Sequence, residues 1–121
     1  MDKVSILIVE SSNAVIDHLS KNFSGMGLSV ITALDGFEGY LRACNELPNY
    51  VITEVMLPNI NGFKLSLILK NDERYKNIHI SLLTSNDVKA ENNMFLQSKA
   101  DIILQKPFKF SQLLDMMNLV N

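Results

Sequence analysis

Val4-Ser5-Ile6-Leu7-Ile8-Val9, followed at once by Glu10-Ser11-Ser12, is the stretch whose reading decides the fold. A short, β-branched, nearly continuous apolar run without polar alternation predicts a strand covered on both faces, as in a parallel sheet. Beyond its abrupt polar end, Val15, Leu19 and Phe23 recur every four residues with Ile16 beside them, and Gly25 and Gly27 close the segment. That spacing predicts an amphipathic helix with a glycine stop. The same alternation repeats outward along the chain. Strands are predicted over 28–31, 50–53, 78–83 and 101–104, and helices over 35–46, 63–70 and 87–98. A last helix follows in which Phe110, Leu113, Leu114 and Met117 share a face.

Five strands alternating with five helices require parallel pairing through right-handed crossovers. The expected fold class is therefore α/β, a doubly wound flavodoxin-like three-layer sandwich with a five-stranded parallel sheet of order 2-1-3-4-5. With 121 residues, 47% of them apolar and 20% charged, the chain is expected to form a single domain over 1–121. A net charge of −2 without a Lys/Arg-rich run argues against a nucleic-acid surface, because phosphate neutralisation needs clustered cations. The single cysteine, Cys44, cannot form an internal disulfide and reads as a buried thiol in a reducing compartment. No apolar run approaches the roughly 18 residues that cross a bilayer. Met1-Asp2-Lys3-Val4 lacks a signal-peptide layout, so a cytoplasmic protein without membrane contact is expected.

In this fold, sites form at the carboxyl ends of the strands. The polar residues there are Glu10 and Ser11, Glu54, Thr84 and Ser85, and Lys106 with Pro107. Four segments at these ends, Ile6 to Ser12, Thr53 to Gly62, Leu83-Thr84-Ser85 and Gln105-Lys106-Pro107-Phe108, resemble in order the signature segments of response-regulator receiver domains, the phospho-acceptor modules of two-component signalling. The resemblance spans essentially the whole chain. It implies an acceptor aspartate at the position of Glu54. It also implies a magnesium ion held there, at the position of Ser11 and at the backbone carbonyl of Met56, with the acid at Glu10 acting through water. Thr84 matches the hydroxyl that contacts a phosphoryl oxygen, and Lys106 the cation paired with it. The resemblance further implies a cis peptide between Lys106 and Pro107.

The sequence departs from that pattern in places that bear on the chemistry. Ser11 puts a neutral hydroxyl where a charged ligand is usual, and magnesium takes so few carboxylates that each one matters. Glu54 carries its carboxylate about 1.5 Å further out than aspartate would, enough to disturb an in-line attack and enough to reach Lys106. Ile103 stands where the family carries a switching aromatic residue. Lys99 stands where a glycine ends the fourth helix, at a cost of up to about 1 kcal/mol if it takes the left-handed cap. Gly62 keeps its glycine after Pro58-Asn59-Ile60-Asn61, a loop of turn-formers.

Plainer readings stand beside these. Thr84 and Ser85 also suit an N-cap of the fourth helix, and Ser11 or Ser12 an N-cap of the first. His18 and His79 are expected away from the strand-end cluster, and Met94, Met116 and Met117 in the core. The expected function is a degenerate receiver that is not an enzyme and needs no cofactor, with at most weak magnesium at Glu10 and Glu54. It would bind a protein, a histidine kinase or an output protein, through the fourth helix, fifth strand and fifth helix, with a homodimer also open. The alternatives are a working receiver phosphorylated with magnesium and, less favoured, a flavodoxin-like enzyme or ligand binder, since no Gly-rich phosphate loop follows the first strand.

Overall fold

The computed structural model describes residues 3–119; the expected domain limits at 1 and 121 lie outside them. Strand β1 (Ser5–Val9) leads into α1 (Asn13–Gly25), and four further pairs follow: β2 (Ser29–Ala33) with α2 (Gly36–Glu46), β3 (Tyr50–Glu54) with α3 (Gly62–Lys70), β4 (His79–Thr84) with α4 (Asn92–Ser98), and β5 (Ile102–Gln105) with α5 (Phe110–Met116). All pairings are parallel and the strand order is β2-β1-β3-β4-β5, as the alternation predicts.

Period-two side-chain direction divides each strand between two cores. Leu7, Val9, Val51, Ile80 and Leu82 pack beneath α2, α3 and α4 with Ala43, Leu65 and Leu69. Ile6, Ile8, Ile52 and Leu83 pack against α1 and α5 with Leu19, Phe23, Leu113 and Leu114. Because β1 and β3 supply both cores, their residues are apolar without alternation. Of the three methionines expected inside, Met117 is buried and Met116 half-buried, but Met94 is exposed because it falls on the outer side of the short α4. Cys44 is half-buried rather than fully buried.

Several boundaries move. β3, β4 and β5 each run one residue past the expected end, because the ladder still pairs Glu54 with Leu83 and Thr84 with Gln105. The strand-end polar residues are therefore held by sheet hydrogen bonds. The larger correction is α4, which begins at Asn92 instead of 87. Asp87 Oδ1 accepts the Lys89 N–H at 2.9 Å in a local turn, and the Glu91 side chain is drawn back to Thr84, so the segment between cannot continue as helix. Lys99 does take the left-handed conformation expected of a glycine there, φ 61°, and its ammonium donates to Asn71 Oδ1 at 2.7 Å, which ties the turn to the end of α3.

Candidate functional site

Glu10 follows β1 and is fully buried, its N–H donating to Ala33 O at 3.1 Å. Its Oε1 accepts from Ser12 N at 3.3 Å and from Lys106 Nζ at 3.2 Å. Oε2 lies 3.0 Å from the same ammonium but has no aligned hydrogen bond. Lys106 is placed by its own N–H, which donates to Thr84 O at 2.7 Å, and by the cis peptide to Pro107 that the resemblance implies.

Glu54 ends β3 with its carboxylate turned toward β1. Oε2 accepts from the Ser11 hydroxyl at 2.7 Å and from the Ser11 N–H at 3.1 Å, while Oε1 lies 3.7 Å from Lys106 Nζ. The backbone beneath Glu54 is fixed by Gly62, whose N–H donates to Val55 O at 2.9 Å. A Cβ at Gly62 would collide with the Glu54 carbonyl, so the glycine is needed for close approach and not for an unusual φ. In the sequence Ser11 reads only as a lost ligand or an N-cap. The cap is Ser12, which accepts from Val15 N, and Ser11 is instead the hydrogen-bond partner of Glu54. The readable signal was the longer glutamate facing a short donor: an acid at 11 would have met Glu54 with like charge.

Charge is shared unequally in this cluster. Burial is the largest influence on Glu10 and pushes its carboxyl above the usual range; the neighbouring Glu54 adds to this and Lys106 opposes it. Burial acts upward on Glu54 too, but the Ser11 hydroxyl, Glu10, the Ser11 N–H and Lys106 together outweigh it and hold Glu54 below the usual range. Of the two acids, Glu54 is the one that ionises first.

Thr84 closes β4 and is buried. Its hydroxyl donates to Glu91 Oε1 at 3.0 Å and accepts from Asn86 N at 3.0 Å, and Asn86 Nδ2 reaches the same Glu91 oxygen at 3.0 Å. Neither Thr84 nor the exposed Ser85 caps α4; the capping position is Glu91, without a side-chain cap. Glu91 is the member of this network that sequence reasoning missed, since it was placed inside a helix. Met56 is exposed beside the site, and Ile103 is half-buried on the other side of the sheet's end. His79 lies at the far end of β4 and His18 on α1 against Phe110, where it shares an open recess of about 520 Å³ with Val15, Lys106 and Phe108.

The family model described as the response regulator receiver domain matches residues 6–118. The chain belongs to that family. Among curated relatives, this receiver domain is 25% identical to protein PilG of Pseudomonas aeruginosa over 118 residues, 93% of this chain and 84% of PilG. It is 32% identical to the DNA-binding dual master transcriptional regulator RpaA of Synechocystis, covering 90% of this chain but 45% of RpaA. Among solved structures, the chemotaxis response regulator CheY4 of Vibrio cholerae superposes with a TM-score of 0.89 at 25% identity, covering 97% of this chain and 98% of CheY4. The receiver domain of a Pseudomonas aeruginosa sensor histidine kinase, 21% identical over 97% of this chain and 96% of its own, shares the fold with a TM-score of 0.86; its cleft coordinates magnesium.

The donor set of this receiver domain does not fit that ion. Magnesium needs oxygen ligands in near-octahedral order and takes so few carboxylates that each one matters. Here the neutral Ser11 supplies no carboxylate, and Glu54 Oε2 already accepts two hydrogen bonds from it.

Proposed function

We propose that residues 1–121 act as one cytoplasmic receiver unit that signals through protein binding independent of phosphorylation, a signalling module rather than an enzyme. The observation that carries this reading is the closure of Glu54 onto Ser11 and toward Lys106. A carboxylate engaged by two N–H or O–H donors and facing an ammonium has little freedom to align with a phosphodonor, and phosphoryl transfer depends on that alignment. The same arrangement places fixed negative charge beside Lys106, so Glu54 stands in part for a phosphorylated aspartate.

The partner, a histidine kinase or an output protein, is assigned to the face made by α4, β5 and α5. A groove of about 330 Å³ runs there between Val88, Phe95 and Ile103, with Lys89 and Asn92 on its rim. A second, of about 440 Å³, extends past Gln105 to Gln112 and Met116. Met94 and Leu96 on α4 are exposed and enlarge the apolar area. Direct DNA contact, named for RpaA, is not assigned to this unit, which covers less than half of that protein and has no clustered cations.

The test is incubation of the purified chain with acetyl phosphate and magnesium, read by intact mass. No phosphoryl adduct is expected, and an adduct mapped to Glu54 would overturn the proposal. The paired substitution Glu54→Asp with Ser11→Asp is expected to restore magnesium-dependent labelling, because it returns both carboxylates and removes the donor that closes the site.

A further inference from the structure

α2 carries an apolar stripe that no described element covers. Phe37 and Leu41, one turn apart, are 54% and 43% exposed, and Leu34, in the turn leading into the helix, is 54% exposed. The opposite side of α2 faces the core, where Gly36, Gly39 and Ala43 are buried and Gly39 rests on Val9. Single exposed apolar side chains are ordinary on a surface, but three neighbours that include a phenylalanine mark a contact area. Glu38 and Arg42 follow Phe37 and Leu41 by one residue each, so they form a charged flank along one side of the stripe. Among the described residues neither belongs to an ion pair.

We propose that this face of α2 docks a second copy of the chain, helix against helix and antiparallel about a two-fold axis. In antiparallel helices like flanks face each other, so Glu38 of one copy comes opposite Arg42 of the other, and Arg42 opposite Glu38. The order of the two charges along the helix makes the patch complementary to itself, and the apolar stripe lies between. A different partner would have to present the same acid-base order on an apolar helix; a second copy has it already. α2 lies over the β2 edge of the sheet and α4 toward the β5 edge, so docking here leaves the α4, β5 and α5 face free.

Sedimentation equilibrium on the full chain, from about 10 µM to about 1 mM, covers the range in which a small interface of this kind associates. A reversible monomer-dimer equilibrium is expected, weakened at least about tenfold by Leu41→Asp, which puts a charge into the stripe. Arg42→Glu is expected to weaken it about fivefold, and Glu38→Arg combined with Arg42→Glu to return it to within about twofold. Phe37, Leu41 and Arg42 are exposed and Glu38 half-buried, so far-UV circular dichroism should not change; if Leu41→Asp does lower helicity, Phe37→Ser takes its place. A monomer at every concentration overturns the proposal and leaves the stripe to a different protein. A dimer insensitive to the stripe substitution, or a charge swap that does not recover, overturns it equally.

Discussion

The two halves of the strand-end site meet the same requirement in different ways. On the β1, β3 and β5 side, Glu10, Ser11, Glu54 and Lys106 form a charged group with a fully buried acid at its base. On the β4 side, Thr84, Asn86 and Glu91 form a network within eight residues of one another that runs from the buried Thr84 through the half-buried Glu91 to the exposed Asn86. Both halves are bonded mostly within themselves, although the buried Glu10 Oε2 has the Lys106 ammonium beside it without an aligned hydrogen bond. They differ in what breaking them costs. A buried carboxylate deprived of its cation cannot recover water, whereas in the other network the exposed Asn86 and the half-buried Glu91 can exchange bonds for solvent.

The largest expected effect follows from removing the shared cation. Lys106→Met should lower unfolding free energy by about 3 kcal/mol at neutral pH, because Glu10 would be left buried without a counter-charge. Urea denaturation measures this, and the loss should shrink as pH falls and Glu10 takes up its proton. A loss below about 1 kcal/mol would mean that the lysine does not hold the buried half together.

Ser11→Ala removes the hydroxyl but not the N–H that faces Glu54, and should cost about 1 kcal/mol. It should also raise the Glu54 titration midpoint, followed by carboxyl carbon NMR; an unmoved midpoint would show that Lys106 alone sets the charge. On the other half, Glu91→Gln leaves a weaker acceptor for Thr84 and Asn86. It should cost no more than about 0.5 kcal/mol while loosening amide protection over residues 85–91. A stability loss as large as that of Lys106→Met would erase the distinction between the halves.

The smallest effect lies outside both. Burial lowers the His79 imidazole below its ordinary 6.5. The unfolded chain then takes a proton near 6.5 that the folded chain refuses, so stability is full above that pH and declines as pH falls through the folded value. His79→Gln should flatten this part of the stability profile, measured by urea midpoints between about pH 7 and pH 5.

How legible these regions were depended on how local their determinants are. Glu10, Glu54 and Lys106 could be placed because the β-α rhythm puts them at the carboxyl ends of β1, β3 and β5, on the same side of one parallel sheet. Asp35, expected inside the second helix, and Asn61, expected only as a loop residue, are the caps of α2 and α3, a role each plays through a single side-chain bond to the N–H three residues on. The start of α4 was not legible, since the 87–91 segment has helix-compatible residues and turns aside because Asp87 accepts from Lys89 in a local turn and Glu91 finds Thr84 across the loop. The Ser11 to Glu54 bond joins residues 43 positions apart and depends on the direction of one carboxylate.

Sequence by itself determined the five parallel β-α units, their order, the two apolar layers and the identity of the residues at the strand ends. Those follow from hydrophobic period and chain connectivity, which act along the chain. Only the tertiary structure decided the hydrogen-bond pairing at the site: Glu54 closed by Ser11, and Thr84 held by Glu91. Hydrogen bonds and ion pairs are short-ranged and directional, so a difference of one methylene or one loop turn selects the partner, and no one-dimensional pattern records that choice.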